Sequence, residues 1–411
     1  MKKMSNKYRH LVWPLASLAL LLLYNAFFTE DFFKVYVKKG NASEQTQVVG
    51  KKDNTPAAQQ PVAQPTEQQP PAEQQPVAQT AEQSQPEEKD GGFSIFDYHF
   101  SGTPVLILKQ GSEVMLLAIG MTLVIATGGI DISVGAVMAI AGAVAALLMD
   151  MFEHQLPASA METGLYWLIP VFAALLLATL CGFWNGMLVA GCGIQPMVAT
   201  LVLMVSGRGM AQLITSIGRS KPEQITFQSE QLAFLRNGYV LMVPCCLWIV
   251  VIMYIIAGLL TRKTALGLFI ESVGNNEHAS RYAGIESRRI KWLAYIICGF
   301  CAGMAGLLTL CDTKSIDANN AGLYLELDAI LATVIGGTSM AGGRFFLSGS
   351  LIGAILIQTL TATMIANKVD SSIIPLPKAL VVIIVCLLQS PVFRAKVFSL
   401  FASKSAKGGV Q

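Results

Sequence analysis

The chain has 411 residues, 53% hydrophobic and only 13% charged, with a formal net charge of +3. Ordinary soluble domains carry roughly a quarter charged residues, so this much apolar surface excludes a single water-soluble core. Part of the solvent is lipid, and no nucleic-acid partner is expected.

The first apolar run, Leu11–Phe28, follows Lys2, Lys3, Lys7 and Arg9, which hold the N-terminus in the cytoplasm. It is too long for a signal peptide's apolar core and has no small-residue cleavage site after it, so it is read as an uncleaved span. Between Asn41 and Asp90 Gln, Pro, Ala and Glu dominate, and QQPVAQ occurs at Gln59–Gln64 and again at Gln74–Gln79. With few large apolar side chains to offset its ordering entropy, this external stretch is expected to be disordered, as a tether or a tolerated insertion.

Further apolar runs near the ~20 residues that cross a bilayer lie at Val134–Met149, Tyr166–Val189, Pro196–Thr215, Tyr239–Leu260, Lys291–Leu310, Phe345–Ala366 and Pro375–Leu388. Two shorter ones, Glu113–Thr127 and Asp328–Met340, bring the expected total to ten crossings with both termini cytoplasmic. The expected fold is an all-α polytopic membrane protein with short broken helices and inverted repeats. Its parts are residues 1–30 (first span), 31–100 (external linker), 101–395 (transmembrane domain) and 396–411 (cytoplasmic tail). By this count 216–238 is external although it carries Arg219, Lys221 and Arg236, while 261–291 is internal with six Lys or Arg.

Two glycine-rich stretches, ATGGIDISVGA (Ala126–Ala136) and VIGGTSMAGGRFFLSGS (Val334–Ser350), each follow a short apolar segment and precede a full-length one. Matching interruptions of this kind point to inverted repeats around a midplane path, or to a pair of tight turns. Gly182 with Gly186, Gly299 with Gly303, and Gly349 with Gly353 have the four-residue spacing that lets helices approach closely in lipid. Cys298 and Cys301, at CxxC spacing in an apolar run, read as small packing residues, and the four histidines are too scattered to form a metal site. There is no GxxxxGK[ST] phosphate loop, so the chain itself holds no ATPase.

Four blocks, Leu117–Gly142, Gly182–Ala211, Val273–Gly306 and Ala318–Arg344, resemble in order the permease subunits of the ribose-type branch of bacterial sugar ABC importers. Within that branch the run ANNAGLYLELDAI (Ala318–Ile330) is most similar to the galactofuranose importer permease; the Gln/Pro-rich insertion departs from the pattern. The resemblance implies an inner-membrane permease without cofactor of its own, with ATP and Mg in a separate ATP-binding subunit. Its other implied partners are a second permease subunit, a periplasmic sugar-binding protein and membrane lipid.

On that resemblance the segment within 261–291 is a coupling helix, with Ala279, Ala283 and Gly284 giving close approach and Asn276, Glu277 and Arg281 polar contacts. The plain alternative is a solvated charged loop. A neutral sugar needs amides and carboxylates set against apolar or aromatic faces. The candidates for the path are Asp131, Asn185, Gln195, Asn319, Asn320, Glu326 and Asp328, the last two expected at the periplasmic mouth. An ion-coupled carrier would instead use Asp131 or Glu113, and a membrane enzyme has no converging nucleophile and base.

Overall fold

The computed structural model describes residues 11–29, 32–39, 98–155, 166–218, 224–370, 373–380 and 383. Seven helices among them are long and apolar enough to cross a membrane. They are α2 (Thr103–Ala126), α3 (Val134–Gln155), α4 (Leu168–Gly186, continued by a π turn, Met187–Gly191), α5 (Pro196–Ser216), α7 (Cys245–Arg262), α10 (Ser287–Thr313) and α12 (Leu347–Ala366). The first apolar run is the shorter helix α1 (Val12–Phe28). The expected run Pro375–Leu388 is helical at 375–380 and at 383, and its remainder lies outside the described residues.

Two expectations are corrected. Glu113–Thr127 is not a short segment: it is the second half of the 24-residue α2, because Lys109 and Glu113 interrupt the apolar pattern without interrupting the helix. The 31–100 linker is not structureless throughout: β1 (Val35–Lys39) and β2 (Tyr98–Gly102) pair antiparallel, Val35 opposite Gly102 and Lys39 opposite Tyr98. The aromatic and β-branched residues at the two flanks favour strands, so the insertion's ends are brought side by side. Its Gln/Pro-rich body, where disorder is expected, lies outside the described residues.

The asymmetry of burial sets the architecture. Helices α2, α3 and α10 form the centre, with Leu116, Leu117, Ile140, Tyr295 and Leu307 fully buried. Helices α4, α5 and α7 lie outside and expose apolar side chains such as Phe172, Val205, Leu213 and Ile252, as helices facing lipid or a partner subunit do. The crossing of α4 with α10 is backbone against backbone: a Cβ on Gly299 would lie 2.6 Å from the Ala178 carbonyl oxygen and 2.8 Å from the Gly182 Cα. Gly299→Val should therefore collapse the amount of folded permease in the membrane, measured by detergent-extracted thermal unfolding. Gly258→Ala, where nothing lies within 4 Å, should stay at or slightly above the parent.

Two ends of the bundle carry the small elements. At one end lie β3 (Ile225–Thr226), α6 (Glu230–Asn237), β4 (Tyr239–Val240), β5 (Val243–Pro244) and β6 (Ser315–Ile316). β3 pairs antiparallel with β6, and β4 with β5. Arg236 of α6 is buried at this end, with Nη1 2.6 Å from Glu113 Oε1 and Nε 3.2 Å from Asp312 Oδ1, the second an ion pair without hydrogen-bond alignment. At the other end lie α8 (Leu266–Asn275) and α9 (Glu277–Tyr282). The two glycine-rich turns meet beside them: the Gly343 N–H donates to the Ala126 carbonyl at 3.0 Å, and a Cβ on Gly342 would be 2.8 Å from the Gly274 oxygen.

Candidate functional site

The segment after α8 is built as a small projecting helix. Asn276, in an extended conformation, accepts the Ala279 N–H on its side-chain oxygen at 3.0 Å and starts α9. Glu277 sits in the first turn, favourable to the helix dipole, and bonds both Arg281 Nη2 and Lys291 Nζ at 2.7 Å. Partial burial would raise the Glu277 carboxyl, but Lys291 and Arg281 outweigh it and hold it below the ordinary glutamate value. Gly284, with φ +83°, ends the turn; that conformation suits glycine and points the chain on toward α10. Ala279, Arg281, Ala283 and Gly284 are all exposed, and Tyr282 is 93% exposed. The residues picked out as a coupling surface thus share one projecting element, to which Tyr282 adds a large aromatic ring.

The path candidates divide into three groups. Asp131 and Asn185, far apart in sequence, come together in a sealed network. The Asp131 carboxylate accepts from the Ser133 N–H (3.0 Å), the Ser133 hydroxyl (2.6 Å) and Asn185 Nδ2 (3.3 Å), while Asn185 also donates to Ser133 Oγ at 2.8 Å. Exposures of 1% and 0% place both residues behind the surface, where they fix the 127–133 turn to α4. Gln195 stands exposed in the turn that leads into α5, not within a helix, and its backbone carbonyl accepts from Val198 and Ala199.

The third group is a loop that folds inward. Asp317 accepts from the Asn319 N–H at 2.9 Å and from the Asn320 side chain at 2.7 Å, turning the chain after β6. The descending chain packs against the start of α3: a Cβ on Gly135 would lie 2.4 Å from the Gly322 oxygen and 2.3 Å from Glu326 Oε2. Helix α11 (Leu325–Ile335) then begins inside the bundle, with its two acidic residues in the first turn. It runs antiparallel to α12, the Gly336 backbone against Gly349 and Ala332 against Gly353. Continuing that register puts Asp328 level with about residue 357, half-way along α12. Glu326 (3% exposed) and Asp328 (8% exposed) are therefore buried at mid-depth, which corrects the expectation of a periplasmic mouth. Asp328 pairs with Lys378 at 2.8 Å, as a carboxylate at this depth must.

Sequence reasoning missed the residue that pins this loop. Arg208, half-buried near the middle of α5, donates from Nη1 to the Ala321 carbonyl and, at 3.4 Å, to that of Asn319. Gln212, one turn on, donates to Asn319 Oδ1 at 2.6 Å. The available signal was an arginine inside the apolar run Pro196–Thr215, an expensive placement without a partner or a role.

Comparison with known proteins agrees with this architecture. A galactofuranose transporter permease of Escherichia coli (strain K12) is 48% identical over 297 residues, covering 72% of this chain and 82% of that protein. A fructose import permease of Bifidobacterium longum (strain NCC 2705) is 40% identical over 307 residues, 75% and 82% of the two chains. A ribose import permease of Escherichia coli (strain K12) is 36% identical over 284 residues, 69% and 84% of the two chains. No solved structure matches the chain. The family model described as branched-chain amino acid transport system / permease component matches residues 103–388, from the first residue of α2 through the last described helix, and the chain belongs to that family of membrane permeases.

Proposed function

We propose that this chain is the membrane permease of an ATP-driven monosaccharide importer, with galactofuranose or galactose as its sugar. ATP is hydrolysed by a separate subunit that docks on α9, a binding protein delivers the sugar at the opposite end, and a second permease subunit completes the path. The observation that carries this reading is α9 itself, a capped helix that leaves Ala279, Arg281 and above all Tyr282 exposed. The likeness to the galactofuranose permease supports the choice of sugar.

The ion-coupled alternative loses its two carriers. Asp131 is sealed within its network and Glu113 is held by Arg236, so neither carboxylate is open to a passing ion. The orientation with the α8–α9 end cytoplasmic follows from the six Lys or Arg of 261–291, which outnumber those of the 216–238 loop.

The test is reconstitution of the permease with its ATPase and binding protein in liposomes. Loading the binding protein with galactofuranose or galactose should stimulate ATP hydrolysis several-fold more than loading it with ribose or fructose. A larger response to ribose would replace the sugar and keep the permease. Uptake that persists without ATP and collapses with the proton gradient would remove the importer.

A further inference from the structure

Tyr324 combines a left-handed backbone with an exposed aromatic ring. It lies between the descending loop and α11, with φ +65° and ψ −3°, a left-handed conformation that costs a β-carbon-bearing residue energy unless the surroundings enforce it. The enforcement is visible. Arg208 and Gln212 hold Asn319 and Ala321 from one side, and Gly322, itself at φ +68°, is pressed on Gly135 from the other. Strain and clamping together aim a large ring outward: Tyr324 is 60% exposed at the level where α11 begins, inside the span of α12.

Tyr324 is flanked by the polar groups that a sugar requires. Asn319 and Asn320 are exposed on the same turn, whose hydrogen bonds include the Leu323 N–H to the Asn320 carbonyl at 3.1 Å. Behind the turn, Glu326 lies within electrostatic reach of Arg208, and its Oε2 is buried without a hydrogen-bond partner among the described residues. A tyrosine serving only to pack within the chain would not be exposed. An aromatic face with exposed amides on the same turn matches a ring that is apolar on its C–H face and polar at its edge.

We propose that Tyr324 is a sugar-stacking platform in the translocation path, held in place by Arg208 as a positioning residue. The inference rests on the monosaccharide-importer reading and adds to it a contact for the sugar within the span, beyond the binding protein. The platform is single-sided, so the contact is weak, as passage requires.

The complete transporter in liposomes tests this through sugar moved per ATP hydrolysed. Glycine removes the ring and also relieves the left-handed backbone, so a structural role and a stacking role predict opposite results for Tyr324→Gly. The platform predicts at least a ten-fold fall in sugar per ATP for Tyr324→Gly, with Tyr324→Phe restoring it to within about two-fold of the parent. Arg208→Lys, which keeps the charge but loses the fork across two carbonyls, should raise the sugar concentration for half-maximal transport more than it lowers the maximal rate. Parental transport by Tyr324→Gly overturns the proposal. So does a loss shared equally by Tyr324→Phe, which would assign the effect to the hydroxyl, or a loss that tracks dissociation of the assembled complex on gel filtration. If the parent complex moves no sugar with ATP, the importer reading fails first and takes this inference with it.

Discussion

Replacing Tyr282 by alanine should cut ATP-driven uptake by at least ten-fold without changing the amount of permease in the membrane. The side chain is 93% exposed on α9, so its removal costs the isolated chain no packing. Exposed aromatics that become buried on docking are frequent hot spots, worth about 2 kcal/mol or more, roughly thirty-fold in affinity. The measurement is co-elution of the ATPase subunit with the permease, beside uptake. Undiminished co-elution and uptake would make α9 a solvated loop. Tyr282 is a cleaner probe than its neighbours. Reversing Glu277 would break its bonds to Arg281 and Lys291 within the chain, and any substitution at Gly284 meets a φ of +83°, so both confound docking with local folding.

Arg236→Met should destabilise the folded permease by about 3–5 kcal/mol, the usual consequence of removing one partner from a buried ion pair. Arg236 is 2% exposed, and its loss leaves Glu113 at 14% exposure facing Asp312 without a cation. Thermal unfolding in detergent and membrane abundance should both fall. Asp312, 40% exposed, can stay hydrated, so the double variant Arg236→Met, Glu113→Leu should recover most of the loss. If the single variant unfolds at the parental temperature, the triad is not a structural clamp. Recovery in the double variant together with uptake would also show that Glu113 carries no driving ion.

The spans were legible because apolar runs of bilayer length have few other uses. Their limits were not, wherever a charge is satisfied by a residue distant in sequence. Lys109 and Glu113 made α2 look half its length, and only the fold brings Arg236 to Glu113. Asp131 and Asn185 are both path candidates in the sequence, but only the fold joins them, through Ser133. The count of crossings puts 311–327 outside, and with it Glu326 and Asp328 at the outer mouth. The loop instead enters the bundle, because Gly135 and Gly322 leave room for two backbones to touch. The left-handed backbone of Tyr324 has no signature at all in composition or period, since tyrosine is not a residue that invites it.

The meeting of the two glycine-rich turns with the end of α8 has a mechanical consequence. Side chains between moving elements act as cushions, because a rotamer change can absorb an ångström of displacement before anything beyond it shifts. Here there are none: Ala126, Gly274, Gly342 and Gly343 touch through carbonyl oxygens, amide nitrogens and α-carbons, at 3.0 Å for the Gly343 to Ala126 bond. Peptide groups are planar and nearly incompressible. A thrust delivered to α9 would therefore reach the end of α2 and the turn before α12 with almost no backlash, as through meshed gears rather than through a spring.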